Sequence, residues 1–235
     1  MMKHTADRTS LTKAFYQNRI SKATNLPENE LTAKKVGWSS HEIQMLGYKI
    51  ATDLDGIEWT KINSFLDIGC GYGNLIDYLR KHKHFLGTYT GIDIIAEFIQ
   101  EAEKLYEDDL RNQFITGDFL DQNWPPQRYD VVCSIGALSV NQDQPSPCGK
   151  LSKEYAQNLI QSMLNLANYS IILHFSNYDN VTFELMEHNR NMAFYKPIKI
   201  KNMLSDFCGE RLVNLDIQSY PNSTDARTIV KAYLN

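Results

Sequence analysis

The run Phe65-Leu66-Asp67-Ile68-Gly69-Cys70-Gly71-Tyr72-Gly73-Asn74-Leu75 leads from an apolar, strand-like stretch straight into an amphipathic helical one. Glycines at such a turn let a ligand approach the main chain where a Cβ would block it. The helix that follows offers unpaired N–H groups and the positive end of its dipole. Three carboxylates accompany the loop: Asp67 two residues before the first glycine, Asp93 closing Gly91-Ile92-Asp93, and Asp118 after Gly117. An acid at a strand end, where Asp93 stands, can accept hydrogen bonds from both hydroxyls of a ribose. His41 and His174 are placed where either could orient or deprotonate a hydroxyl or amine, although each also reads as a hydrogen-bonding packing residue. The six histidines include no H-E-x-x-H set, and His82 and His84 sit in a basic helix end, so no metal site is expected. Pro147-Cys148 reads as an ordinary loop cysteine and not as a nucleophile. Tyr16, Asn141, Tyr178 and Tyr195 fall in segments expected to overhang the strand ends and are candidates for a pocket wall.

These residues need elements to position them. Leu11, Phe15 and Ile20 recur at roughly helical spacing in a polar stretch that ends near Pro27. Ser39-Ser40-His41-Glu42 has the S-x-x-E pattern of a capping box ahead of Ile43, Leu46, Ile50 and Leu54, and Asp55-Gly56 stops that run. From residue 64 short apolar strands are expected at Phe65–Ile68, Thr88–Ile92, Phe114–Thr116, Tyr129–Ile135 and Tyr169–Phe175. Helical runs fall between them around Leu75–Lys81, Ala96–Tyr106 and Glu154–Ala167, the alternation of parallel βαβ units. Arg80, Lys81 and Lys83 suit the C-terminal end of the first of these helices. Leu212–Gln218 and Thr228–Leu234 are joined too tightly for a crossover helix, so they pair antiparallel. The expectation is an α/β fold: a seven-stranded, mostly parallel, doubly wound sheet with a C-terminal antiparallel hairpin. Residues 1–60 would form a helical cover within the same domain as a core spanning 61–235.

The chain has 235 residues, with 24 basic against 28 acidic side chains, for a net charge of −4. That balance argues against a protein held to duplex nucleic acid by charge. An apolar share of 43% suffices for a full core, yet no apolar run approaches the ~18 residues of a membrane span. The start leads into no apolar leader segment, and the four cysteines have no paired spacing. A reduced, cytoplasmic protein is expected.

The dinucleotide fingerprint G-x-G-x-x-G does not fit, because the third glycine comes one place early and Asn74 holds the expected position. Asp67 followed by G-x-G-x-G resembles motif I of the class I S-adenosylmethionine-dependent methyltransferases, and Asp93, Asp118 and Tyr129–Gly136 follow in that family's order. The resemblance implies a Rossmann-like methyltransferase fold. It also implies S-adenosyl-L-methionine as cofactor, S-adenosyl-L-homocysteine as product, and no metal. It places Asp67, Gly69, Cys70, Gly71 and Gly73 against the methionine part, Asp93 on the ribose and Ile94 on the adenine face. Asp118 and Phe119 would lie by the adenine amino group, and Ser134 on the strand leading to the point of transfer. Val36 to Gln44 resembles a segment preceding motif I in small members of the family, which would fold Trp38 over the cofactor; packing of Trp38 onto the sheet is the equal alternative. The implied reaction is direct displacement of a methyl group onto a nitrogen, oxygen or carboxylate acceptor of a small molecule in a biosynthetic pathway. A peptide or protein acceptor is the alternative. Enzymes acting on exocyclic amino groups of bases carry D/N-P-P-Y/F after the fourth strand, where this chain has Ser134-Ile135-Gly136-Ala137. More remote readings are an NAD-dependent oxidoreductase, with Asp93 on an NAD ribose, or a non-catalytic binding subunit. No membrane partner is expected.

Overall fold

The computed structural model describes residues 2–22, 25–124, 129–140, 150–189, 191–221 and 226–235. The chain divides into two compact units, Met1–Asn123 and Trp124–Asn235.

In the first unit, α1 (Met2–Lys22), α2 (Glu28–Lys35) and α3 (His41–Thr52) precede β1 (Ser64–Ile68), α4 (Asn74–Lys83), β2 (Thr88–Asp93), α5 (Ala96–Leu105) and β3 (Asn112–Thr116). The strands run parallel in the order β3-β2-β1. Ile68 pairs with Ile92 and Asp93 with Thr116, so the three C-terminal strand ends lie together. Two helices bury apolar stripes at helical spacing, Leu75, Ile76 and Leu79 on α4 and Phe98, Ile99 and Ala102 on α5. Behind β1, Trp59 and Phe85 pack on Phe65 with ring centroids 5.9 and 6.2 Å apart.

Three details depart from the sequence reading. First, α2 was not expected: its segment ENELTAKK is nearly devoid of apolar periodicity, and only Glu28 and Glu30 in its first turn and Lys34 and Lys35 in its last mark it as helix. Second, the cap of α3 is Ser40, not Ser39. The Ser40 hydroxyl accepts from the Ile43 N–H at 3.2 Å. A carboxylate from another element also serves this helix start: Glu30 of α2 accepts from the His41 N–H at 3.1 and 3.2 Å. Third, Arg80 does more than complement a helix end. Its guanidinium donates to the carbonyls of Phe85 and Gly87 at 2.7 and 2.9 Å and to Asn112 Oδ1 at 3.2 Å, and it pairs with Asp109.

The second unit comprises β4 (Tyr129–Ile135), α6 (Lys150–Leu166), β5 (Ala167–Asn177), α7 (Phe183–His188), β6 (Phe194–Tyr195), α8 (Pro197–Cys208), β7 (Leu212–Pro221) and β8 (Ala226–Leu234). Its order is β4-β5-β8-β7, with the two-residue β6 pairing parallel to the end of β5. The β4–β5 pair is parallel, whereas β5–β8 and β7–β8 are antiparallel. Flanked on both sides, β5 carries the fully buried run Ile171, Ile172 and Leu173. The fold class is as expected, mixed α/β with mostly parallel strands and antiparallel C-terminal ones; β6 raises the strand count from seven to eight. Neither β6, α7 nor α8 was expected, because the stretch between β5 and β7 alternates polar and apolar residues in pieces too short to show a period. Cys70, Cys133 and Cys208 are buried and form no disulfide among the described residues, and Cys148 lies outside them. Among the described residues no helix is long and apolar enough to cross a membrane.

Candidate functional site

In the first unit the glycine loop is fastened to the neighbouring strand before it opens into α4. The N–H groups of Gly69 and Cys70 both donate to the Ile92 carbonyl, at 2.8 and 3.1 Å, and the Gly73 N–H turns back to the Cys70 carbonyl at 2.9 Å. Gly71 has φ +56° and lies under Val36, whose Cγ1 is 2.9 Å from where a Cβ would stand. Gly91, inside β2, allows a second close approach: a Cβ there would come 2.8 Å from the Cys70 Sγ. Burial, with Asp93 and then Asp67 nearby, pushes the Cys70 thiol well up, so this residue fills a notch as a neutral thiol.

Asp93 joins the loop to the strand end. Its Oδ2 accepts from the Gly71 N–H and its Oδ1 from the Ile95 N–H, both at 2.9 Å. Burial pushes the carboxyl up to about 6, against the N–H groups of Ile95, Gly71 and Ile94, which favour the charged form. A carboxylate oxygen can accept more than one hydrogen bond. The Asp93 carbonyl accepts from the Gly117 N–H at 2.9 Å, which brings the end of β3 alongside. There Asp118 caps a short turn, accepting from the Leu120 N–H at 3.0 Å, with Phe119 buried behind it. Ile94 is half-buried between these groups in sequence. Asp67 is 2% exposed, stands opposite Gly91 in the β1–β2 register, and accepts from the Tyr89 hydroxyl at 2.7 Å.

The helical segment touches this loop. Besides Val36 on Gly71, the Tyr16 ring meets Phe98 edge-on at 5.7 Å, and Phe98 meets Tyr72 of the loop at 4.6 Å. Burial, with Glu101, Asp93 and Glu97 adding to it, pushes the Tyr72 phenol up to about 12, so it is neutral. Trp38 is half-buried and packs edge-on against Tyr48 of α3 at 5.8 Å. His41, also half-buried, begins α3.

The second unit holds the remaining candidates. His174 is 3% exposed, within β5, and its Nε2 shares a hydrogen bond of 2.9 Å with the Tyr220 hydroxyl. Burial, with Arg227 next, holds its imidazole well below the usual histidine range and therefore neutral. Arg227 donates to the Ser176 hydroxyl on the same sheet face. The Ser134 hydroxyl is fully buried on β4 and has no hydrogen-bond partner among the described residues. Tyr195 is buried against Phe175 at 5.9 Å, and Lys196 places its Nζ 5.0 Å from the ring centroid of half-buried Tyr178. Asn141 lies outside the described residues.

The structure thus gathers Asp67, Gly69, Cys70, Gly71, Gly73, Asp93 and the Gly117-Asp118 turn through hydrogen bonds and contacts at one set of strand ends. Sequence reading gave no role to Tyr89 or Tyr220, and quoted Val36 and Gly91 only within longer motifs. Only Gly91 carried a signal, since a glycine inside a strand marks close backbone approach.

Residues 65–157 match the family described as a methyltransferase domain. Over 87 residues the chain is 36% identical to the tetracenomycin polyketide synthesis 8-O-methyl transferase of Streptomyces glaucescens, a match covering 37% of this chain and 24% of that protein. The chain spans 24% and 35% of the lengths of the two curated relatives it matches. Magnesium protoporphyrin IX methyltransferase from Synechocystis PCC 6803, solved with bound S-adenosylhomocysteine, superposes with a TM-score of 0.65 at 18% identity, covering 97% of this chain and 100% of that one. Geranyl diphosphate C-methyltransferase from Streptomyces coelicolor A3(2) gives 0.62 at 13% identity, over 91% and 84%. What these structures share with the chain is the fold. The resemblance to class I S-adenosylmethionine-dependent methyltransferases is borne out in the matched domain and in that fold.

Proposed function

We propose that the chain is an S-adenosylmethionine-dependent methyltransferase acting on a small-molecule nitrogen, oxygen or carboxylate acceptor. The observation that carries this reading is the Asp93 carboxylate bonded to the Gly71 N–H. It holds a ribose-binding acid and a glycine loop in one piece, with the Ile95 N–H on the other Asp93 oxygen. These residues fit the cofactor: Asp67 and the loop take its methionine part, Asp93 its ribose hydroxyls, and Ile94, Asp118 and Phe119 its adenine. When bound, the cofactor supplies a methyl group activated on a sulfonium. The protein then has to orient and dehydrate the acceptor in line with it.

In this reading residues 1–60 close over the cofactor, with Trp38 and Tyr16 in the cover, and Ser134 lies on the strand leading to the transfer point. Tyr178, Tyr195 and Asn141 contribute to the acceptor side. His41 and His174 orient the acceptor; His174, buried and bonded to Tyr220, acts by placement. Isothermal titration with S-adenosylmethionine and S-adenosylhomocysteine is the test, followed by mass spectrometry of a metabolite pool incubated with labelled cofactor. Micromolar binding and label transfer to a small molecule are expected. Folded protein that binds neither ligand overturns the reading, and binding of NAD instead would restore the oxidoreductase alternative.

A further inference from the structure

Tyr89, which belongs to none of the motifs above, bonds the Asp67 carboxylate through its hydroxyl. Its ring is fully buried, stacked on Phe65 at 6.0 Å with planes 7° apart, and tilted against Phe114 at 5.8 Å. Such walls leave the ring little freedom, so the direction of its hydroxyl is fixed by packing. In the β1–β2 register Tyr89 stands opposite Phe65, and the next position on the same face, opposite Asp67, is Gly91. No β2 side chain occupies that position, and the phenol reaches diagonally to Asp67 Oδ2 at 2.7 Å. An O–H donor of this length to a buried carboxylate is a charge-assisted bond, which favours the ionised form and fixes its rotation.

We propose that Tyr89 is a positioning residue for cofactor binding: its hydroxyl fixes the rotation of Asp67, turned toward the ammonium group of the amino-acid end of S-adenosylmethionine. The inference rests on the cofactor reading above, and it makes an additional demand. Tyr89 must affect recognition of the amino-acid part and leave the nucleoside part alone.

The experiment titrates wild type and Tyr89→Phe with S-adenosylhomocysteine and with 5′-methylthioadenosine, which has the nucleoside but lacks the amino-acid end. Removing the hydroxyl is expected to weaken S-adenosylhomocysteine about tenfold, the scale of one hydrogen bond to a charged group, and to leave 5′-methylthioadenosine within about twofold. Asp67→Asn is titrated alone and combined with Tyr89→Phe; if Tyr89 acts through Asp67, the second substitution adds nothing further. Equal weakening of both ligands, unchanged S-adenosylhomocysteine affinity in Tyr89→Phe, or full additivity with Asp67→Asn overturns the inference alone. A folded wild type that binds neither ligand overturns the cofactor reading and this inference together.

Discussion

Asp93 and His174 are both titratable groups whose burial disfavours charge, and they move in opposite directions on the pH scale. Asp93 in the cofactor-free chain titrates near 6, above the ~3.9 of an unfolded aspartate. Its contribution to stability is therefore fully present below about pH 4 and is lost as pH rises through 6, a loss of about 2–3 kcal/mol. Asp93→Asn should abolish that trend, seen as a smaller difference between urea unfolding at pH 5 and pH 7. His174 has the reverse sign: its folded value is depressed, so its contribution is present above about pH 6.5 and is lost as acid charges the buried ring. His174→Gln should flatten the fall in stability on acidification below that pH. For binding, Asp93→Ala should cost about 2–4 kcal/mol in S-adenosylmethionine affinity, since two bonds to a charged acceptor are lost, whereas His41→Ala should leave it nearly unchanged. Calorimetry on the two variants decides this, and equal affinities in wild type and Asp93→Ala would show the ribose placed wrongly. At this scale Asp67, Asp93 and the glycines were legible because a strand-end acid and a glycine turn occupy fixed sequence offsets. Tyr89 and Tyr220 were not, because a diagonal or cross-strand bond depends on register, which no local spacing records.

Among the elements, the strands with apolar runs were closely legible: Tyr129–Ile135 has the expected limits, β1 and β2 each differ by one residue, and β5 runs two residues further at each end. Burial made them legible, because a strand covered on both faces has to be continuously apolar. Helix α2 and strand β6 lack that signature, one being mostly polar and the other two residues long. The role of Arg80 was hidden for a different reason. Its charge suits a helix C-terminus, but its partners, the Phe85 and Gly87 carbonyls and Asn112, belong to the connection into β2 and to the start of β3. Arg80→Ala leaves two carbonyls and an amide without this donor, and should cost about 2–4 kcal/mol in denaturant unfolding. Arg80→Lys should recover only part, since an ammonium cannot reproduce the fork that spans three acceptors. Full stability of Arg80→Ala would show that water takes over those carbonyls.

At the scale of the whole molecule, the expected cofactor residues other than Ser134 fall in the first unit, while the hairpin and most acceptor-side candidates fall in the second. Whether the units unfold together can be read by ligand linkage. S-adenosylhomocysteine at a hundred times its Kd adds about 2.7 kcal/mol to whatever unfolds as one with the binding site. For a chain of this size that is a rise in Tm of roughly 5–10 °C. A single transition displaced by that amount would show one cooperative body. Two transitions, with only one displaced, would show that the second unit melts independently.

Strand β8 is the latest in chain order, yet it lies between β5 and β7. On the ribosome, the first unit can zip in short steps, because Ser64 meets Thr88 and Tyr89 meets Asn112 soon after each emerges. In the second unit β4 and β5 pair in chain order, but the other edge of β5 must wait. Ser170 waits for Tyr233, and Ser176 for Arg227. Until residues 226–234 have been synthesised, one edge of the long apolar strand β5 has no partner for its backbone groups, a state that invites association with other nascent chains. Closure of that gap spans a large sequence separation and is correspondingly slow. Translation therefore lets the first unit assemble as it emerges and leaves the second incomplete until β8 has been made.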